Sequence, residues 1–201
     1  MRRGLLAAAC FGGLLPFVFV IVGCSNPFSS GSDGVIPDAL LLIPGPEDRY
    51  FLKFLPEVSE TDILAALFPY GVSRHSRISP EKTLRVTVAP GVTITDLTSM
   101  QGLEYVSPLY THRETGDTIA YTNKVMLHLA DGARLEDIQT AIHRLDGRIT
   151  YSSSHVITFA GPWRDARRSV EVAEFFMMTV GVTSASAGWR CSASSAGEVE
   201  W

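Results

Sequence analysis

The sequence predicts an α+β fold built from two tandem β-α-β-β-α-β units, each an antiparallel sheet with two helices on one face. Three observations lead to this prediction. Short segments alternate apolar and polar residues, apolar residues recur at helical spacing between them, and the second half of the chain repeats the order of the first. The regular pattern begins near Tyr50 and covers roughly 130 residues, enough for one ordinary core or two very small ones.

The first unit, residues 50–110, is predicted to open with a strand over residues 51–55. Ser59 stands three residues before Asp62, which predicts a helix start of capping-box type with aspartate in place of glutamate. Gly71 should end this helix. Its predicted buried face consists of Ile63, Leu64, Leu67 and Phe68.

The rest of the first unit alternates clearly. A strand over residues 72–78 is followed by a strand over residues 82–88 that points Arg85 and Thr87 outward and Leu84, Val86 and Val88 inward. Thr93 and Asp96 open a second short helix that carries Leu97 and Met100. A strand over residues 103–106 closes the unit.

The second unit, residues 122–182, is predicted to repeat this order. Strands are expected over residues 124–129, 149–151 and 155–159, and a loosely fitting closing strand over residues 178–182. The first helix is predicted from a stripe of Leu135, Ile138, Ile142 and Leu145, and the second from Trp163, Ala166, Val170, Ala173 and Met177. Residues 183–201 are rich in Ser, Ala and Gly, which predicts a disordered tail.

The two units align at two offsets. At an offset of 75, the matched pairs include Leu52 with Leu127, Asp62 with Asp137, Ile63 with Ile138 and Ala66 with Ala141. At an offset of 71, residues 86–89 match residues 157–160, as if a loop had shortened. Two matching stretches in the same order favour a duplication.

The N-terminus has the form of a secretory signal. Arg2 and Arg3 precede an apolar run that ends in Ile21-Val22-Gly23-Cys24. This ending resembles the lipobox of bacterial lipoproteins, which implies cleavage between Gly23 and Cys24 and lipidation of Cys24. The resemblance makes residues 1–23 a signal peptide and residues 24–49 a lipidated flexible tether, and it implies a cell-envelope protein held at an outer membrane or cell surface.

An uncleaved transmembrane helix is the alternative for this run. The stretch from Leu5 to Val22 is short for a membrane span, and it contains Gly12, Gly13 and Pro16. These features favour the lipoprotein interpretation.

Charge and cysteine content exclude several function classes. The formal charge is −4, and it moves to −6 when the signal is removed, so the chain has no basic character suited to nucleic acid. Arg164, Arg167 and Arg168 are predicted to lie on a solvated helix face. Cys191 is the one cysteine left after processing and lipidation, which excludes an intramolecular disulfide.

Three segments resemble the prodomains of fervidolysin-like subtilisin-like serine proteases: residues 103–110 (LEYVSPLY), residues 122–132 (TNKVMLHLADG) and residues 135–138 (LEDI). The resemblance spans residues 50–176. It implies a ferredoxin-like βαββαβ fold, and it implies a protein that assists the folding of a subtilisin-like protease and blocks its active site.

The chain departs from that family in having no protease signature. It contains no D-[ST]-G, H-G-T or G-T-S-M motif, and none of its five histidines precedes a glycine. Ser99 in the stretch 97–100 (LTSM) lacks the glycine of the serine motif. We therefore expect no enzyme activity, with no catalytic residue assigned.

No cofactor or metal site is predicted either. The sequence has no glycine-rich phosphate loop after a strand, and His128 and Asp131 are expected on a strand face and in a turn. His143 is expected at the surface. Glu136 and Asp137 are expected to favour a helix dipole rather than to act as an acid–base pair.

Two function classes remain open. The chain is either a non-catalytic pro-region-like protein that binds, chaperones or inhibits a subtilisin-like protease, or a surface lipoprotein that binds an unrelated protein or wall component. A third possibility is a truncated protease precursor, which the loss of pattern near Met178 suggests.

Overall fold

The computed structural model describes residues 42–191 and 198–200. Its strands and helices, in chain order, are β1 Leu42–Pro44, β2 Arg49–Phe54, α1 Glu60–Leu67, β3 Arg74–Ser76, β4 Thr83–Thr87, α2 Ile94–Thr98, β5 Leu103–His112, β6 Thr118–Leu129, α3 Leu135–Arg144, β7 Arg148–Ser152, β8 Val156–Ala160, α4 Arg168–Met177, β9 Val182–Cys191 and β10 Glu198–Glu200. A single 3-10 turn, Phe68–Tyr70, extends α1.

The chain is mixed α/β, with one large antiparallel sheet and few helices. Ten strands join in this sheet, whose main path runs β10-β3-β4-β2-β5-β6-β8-β7, with β1 on β5 and β9 on β6. We call β2 to β5 with α1 and α2 the first half, and β6 to β9 with α3 and α4 the second half. The strand order is β3-β4-β2-β5 in the first half and β7-β8-β6-β9 in the second.

Each half has its own core between the helices and one face of the sheet. In the first half, Leu52 and Phe54 of β2 pack with Ile63 and Leu67 of α1 and with Leu97 of α2, and all five are fully buried. In the second half, Leu127, Ile142, Phe159 and Phe176 occupy the corresponding layer. Each such side chain contributes about 1.5–3 kcal/mol through burial, so both cores hold helices against the sheet.

Several sequence predictions are confirmed at the level of local chemistry. Ser59 caps α1 by accepting a hydrogen bond from the Asp62 backbone N–H at 3.1 Å. Thr93 and Asp96 form a reciprocal capping box at the start of α2. Gly71 ends the first helical segment in the left-handed region, with φ of 56°. Ile138 and Ile142 are the buried residues of α3, as predicted.

The predicted disordered tail is wrong for residues 183–191. These residues belong to β9, which pairs with β6 along nearly its whole length, from Val182 on Leu129 to Cys191 on Ile119. Small and polar residues dominate this strand because it packs against helix α4 and pairs with β6, so the composition that favoured disorder instead suits a crowded strand. Consequently the second unit extends beyond residue 182, and the closing strand expected over residues 178–182 lies later in the chain.

The predicted face of the last helix is also wrong. Helix α4 begins at Arg168, so Trp163 and Ala166 precede it, and its buried residues are Ser169, Val172, Ala173 and Phe176. Met177 is 51% exposed. Ala173 is the one residue that belongs to both the predicted stripe and the observed buried face of α4.

The pairing registers correct the second repeat offset. Leu52 pairs with Leu84, and Leu127 pairs with Ile157, so the third strands of the two halves correspond at an offset of 73 rather than 71. The offset of 75 holds for Ile63 and Ile138, which are both buried on equivalent helices.

The predicted signal peptide, cleavage site and lipidation site lie outside the described residues. Gly23 and Cys24 are among the first 41 residues, as is most of the predicted tether. Among the residues that the structure describes, no helix has the length and apolar character needed to cross a membrane.

Candidate functional site: two faces of one sheet

The sheet face opposite the helices is the candidate interaction surface. We call it the outer face. In the second half, cross-strand registers place Tyr151, Thr158, Met126 and Ser186 in one row across β7, β8, β6 and β9. Tyr151 is 57% exposed, and Thr158 and Met126 are half-buried. Ser186, at the β9 end of this row, is only 5% exposed, whereas no hydrophobic cluster among the described residues includes Tyr151, Thr158 or Met126.

The outer face of the first half is covered by the protein itself. Phe51 and Tyr105 stack with ring centroids 6.3 Å apart, and both are almost completely buried. They form a third cluster with Leu109, Ala120 and Ala166. Ala120 belongs to β6, so the second half folds over the outer face of the first.

Arg190 fixes this cover at the end of β9. Its guanidinium lies 5.3 Å from the ring centroid of Phe51, and its Nη2 donates to Glu81 Oε2 at 2.9 Å. The hydrogen bond from Arg190 holds the pKa of Glu81 below its usual range. Burial opposes the charge of Arg190, but the bond to Glu81 and the nearby Tyr105 outweigh it and raise the pKa of Arg190. Arg190 is therefore a charged clamp between the halves.

A second link between the two halves is made by the backbone of Val106 in β5. Val106 N donates to Arg164 O at 2.7 Å, and Ala166 N donates to Val106 O at 2.9 Å, which makes an isolated parallel bridge between Val106 and Asp165. Arg164 Nη1 also donates to Thr98 O and Met100 O at 3.0 and 3.2 Å. A side chain of the second half thus caps the last carbonyl of α2 in the first half, that of Thr98, and also binds the carbonyl of Met100 just beyond the helix.

Thr122 and Asn123, which open the predicted second unit, lie in β6 between the residues that pair with β5 and those that pair with β8. The register of β6 with β9 shifts between Tyr121 and Val125, and both Thr122 and Asn123 are buried there. Only glycine fits opposite, because a Cβ on Gly188 would lie 2.5 Å from Thr122 Oγ1. Thr122 and Asn123 therefore have a structural role, because they form an irregularity in the pairing of β6 with β9.

Arg164, Arg167 and Arg168 are exposed, as predicted, but Arg164 and Arg167 precede α4 instead of lying on it, and all three line a cavity of about 760 Å³. Arg167 forms a two-pronged ion pair with Asp165, with its shortest bond at 2.6 Å, and Arg168 pairs with Glu171. The Asp165 hydrogen bond raises the pKa of Arg167. Because carboxylates or carbonyls already engage all three guanidinium groups, the cavity is not a strongly cationic site.

The other residues singled out in the sequence are dispersed. Arg85 and Thr87 lie on the outer face of β4, as predicted, and both are half-buried. His128 is on β6 and Asp131 in the following turn, but Asp131 pairs with His155, whose Nδ1 lies 3.6 Å from its Oδ1. His143 is exposed on α3. Ser99 follows α2 and donates to Asp96 O.

No metal site forms among these side chains. Within residues 42–191 and 198–200, no three His, Cys, Asp or Glu side chains are grouped to hold a metal ion. Glu136 and Asp137 occupy the first turn of α3, the position expected from the helix dipole.

Arg190, Glu81 and the Phe51–Tyr105 pair were missed by sequence reasoning. Arg190 lies in a stretch whose composition predicted disorder, and Phe51 was assigned only to a strand. The available signal was the alternation of Ala185 and Ala187 with Ser184 and Ser186, which is typical of a strand with small side chains.

Comparison with known proteins gives no relative: no family model, no curated protein and no solved structure matches the chain.

Proposed function

We propose that the chain is a non-catalytic, lipid-anchored pro-region-like protein that binds a subtilisin-like serine protease. The observation that carries this proposal is the strand order β3-β4-β2-β5, repeated as β7-β8-β6-β9. A βαββαβ unit of ferredoxin-like type has this order, with both helices on one face. Two halves with this strand order, together with the prodomain-like segments of the sequence, support the proposal of a protease partner.

The docking surface in this proposal is the outer face of the second half. The corresponding face of the first half is occupied by Ala120 and Arg190. Tyr151, Thr158 and Met126 offer an aromatic, a small polar and a flexible apolar side chain in one row. Aromatic and methionine side chains are enriched in protein interfaces, which favours this row as the contact.

The repeat supplies a matched pair of variants to test the surface. Thr158 pairs with Met126 in the second half, and Arg85 pairs with Phe51 in the first, so the two positions are equivalent. In calorimetric titrations of the full chain with a panel of subtilisin-like proteases, we expect Thr158→Arg to weaken binding at least about tenfold. We expect Arg85→Ala to change it less than about twofold.

The proposal fails if the wild-type chain gives no heat of binding and no slowing of peptide hydrolysis at about 100 μM, where weak complexes already form. Equal loss of binding in both variants would argue against the second half as the docking surface.

The lipid anchor is the second part of the proposal. It rests on the Arg2-Arg3 start, the apolar run and the Ile21-Val22-Gly23-Cys24 ending. When the chain is expressed in bacteria with labelled palmitate, the label should enter the wild type and be absent from Cys24→Ser. Persistent label in that variant would remove lipidation at Cys24 from the proposal.

The proposal includes no peptidase activity and no cofactor. The purified chain should show no casein hydrolysis above background, with or without a serine-directed inhibitor. Casein turnover that the inhibitor abolishes would contradict the non-catalytic assignment.

A surface lipoprotein with an unrelated protein or wall partner is the second candidate. The covered outer face of the first half favours it, because only one of the two equivalent faces is open to a protease. This candidate would be favoured over the first by two results together. The wild type, but not Thr158→Arg, would bind a wall component, and none of the subtilisin-like proteases would give a heat of binding.

A further inference from the structure

A groove lies between the loop that joins β1 to β2 and the loop that precedes α2. We call it the tyrosine–proline groove and define it by Tyr50, Tyr110, Pro46, Pro90, Glu47 and Asp48. Its volume is about 860 Å³, and its lining is mainly apolar. Tyr50 is 7% exposed, and Tyr110 is half-buried against Tyr121 with ring centroids 5.2 Å apart. Tyr110 therefore supplies most of the accessible aromatic surface of the groove, and Tyr50 belongs mainly to the first-half core.

Backbone contacts hold both walls of the tyrosine–proline groove. On one wall, Gly45 N donates to Leu109 O at 2.8 Å, and a Cβ at Gly45 would lie 2.6 Å from that same oxygen. Val88 N donates to Asp48 O at 2.9 Å, which joins this wall to the end of β4. On the other wall, Ala89 N donates to Tyr70 O at 3.1 Å. The groove is therefore preformed.

The charge of the groove is acidic. Glu47 is exposed, Asp48 is half-buried, and neither forms an ion pair within the described residues. Arg167 also lines the groove, but its guanidinium is engaged by the carboxylate of Asp165. Two carboxylates that form no ion pair with any residue of the ranges 42–191 and 198–200 thus adjoin tyrosine and proline side chains.

We propose that the tyrosine–proline groove binds an extended, proline-containing segment of a partner protein that places a lysine or arginine against Glu47 and Asp48. Proline-rich segments adopt the polyproline II conformation without internal hydrogen bonds, and they dock into grooves lined by aromatic rings at a low entropic cost. The carboxylates supply charge complementarity and orient the segment. This inference does not depend on the protease proposal, because the groove is on a different surface from the row of Tyr151.

The test measures fluorescence anisotropy of labelled peptides with the full chain in mild detergent. The probe is Arg-Ala-Leu-Pro-Pro-Leu-Pro, and the control peptides replace its arginine by glutamate or its prolines by glycine. We expect saturable binding of the probe, and binding at least about tenfold weaker for both control peptides. Binding of the probe should weaken as salt is added.

Two groove variants and two matched controls assign the binding. Tyr110→Ala should weaken the probe about tenfold, and the double variant Glu47→Gln/Asp48→Asn about fivefold. The matched controls are Tyr151→Ala, an exposed tyrosine elsewhere, and Glu136→Gln/Asp137→Asn, which removes the same charge from α3. Both should bind within about twofold of the wild type.

Circular dichroism checks that each variant is folded. If Tyr110→Ala unfolds, the double variant Glu47→Gln/Asp48→Asn still tests whether the groove binds the probe. The proposal is overturned by any of three results: no saturable binding at about 1 mM, equal binding by the wild type and the charge variant, or a preference for the glutamate peptide. The last result would assign the groove to Arg167 rather than to its carboxylates.

Discussion

The two halves of the chain share a strand order but not a surface. In the first half, the outer-face position of Phe51 is 4% exposed beneath Ala120 of β6 and Arg190 of β9. In the second half, the equivalent position is Met126, which is half-buried and has no covering cluster among the described residues. Sequence repetition therefore predicts topology, whereas the length of the strands decides which face stays open.

Strand length produces this difference because β6 and β9 continue past their own half. Residues 124–128 of β6 pair with β8, while residues 118–120 pair with β5 of the first half. β9 follows β6 along both parts. The extended end of this strand pair covers the first half, so the two halves should behave as one cooperative unit.

The largest expected effect comes from the first-half core. Phe54 is fully buried, so Phe54→Ala should reduce the free energy of unfolding by about 3–5 kcal/mol. Trp163 and Trp189 both lie in the second half, so in a Trp201→Phe background their fluorescence reports on that half. If the halves are coupled, urea unfolding followed by tryptophan fluorescence should shift with this first-half substitution as much as circular dichroism does.

Phe159→Ala provides the matched substitution in the second-half core, and Tyr151→Ala provides an exposed control with an effect below about 0.5 kcal/mol. A tryptophan transition that stays in place in Phe54→Ala would mean that the halves unfold independently.

Tyr105 gives the next largest effect, through pH. Burial raises the pKa of Tyr105 to about 12, although the charge of Arg190 opposes the shift. In the unfolded chain the phenol ionises near its ordinary value of about 10. The folded state keeps the proton longer, so stability is complete below about pH 10 and falls as the pH rises towards 12, by about 2–3 kcal/mol in all.

Urea unfolding at several alkaline pH values measures this loss. Tyr105→Phe should have a visibly smaller dependence on pH in this window, because it has no phenol to ionise. The same steep dependence in the variant would assign the alkaline loss to other buried tyrosines, such as Tyr50, whose pKa is also raised by burial.

Local sequence rules predicted much of the fold, for identifiable reasons. Ser59, Thr93 and Gly71 were recognised because caps depend on a few neighbouring residues. The alternation of residues 84–88 gave β4 and its outward Arg85 because a strand in a half-open sheet has a period of two. These signals act within a single element.

The open and covered faces could not be predicted in the same way. The position of Arg190 over Phe51 joins residues far apart in sequence, and no local pattern records it. β9 escaped recognition because its strand alternates alanine with serine, a contrast too weak to separate from a polar tail. The helix face of α4 was misplaced because the predicted stripe starts at Trp163, which precedes the first helical residue, Arg168.

The smallest expected effect isolates the clamp itself. Arg190 and Glu81 form an ion pair across the halves, with side chains 18% and 60% exposed. A double-mutant cycle with Arg190→Met and Glu81→Gln should give a coupling free energy of about 0.5–1 kcal/mol, reduced by solvent around Glu81.

Arg168→Met with Glu171→Gln is the matched pair within α4, where both side chains are 60% exposed, and its coupling should be about 0.3 kcal/mol. Urea unfolding at low and high salt measures both cycles, and salt should reduce the exposed pair by the larger fraction. A clamp coupling no greater than that of the helix pair would mean that packing on Phe51 and Tyr105, rather than the charge of Arg190, holds the cover in place.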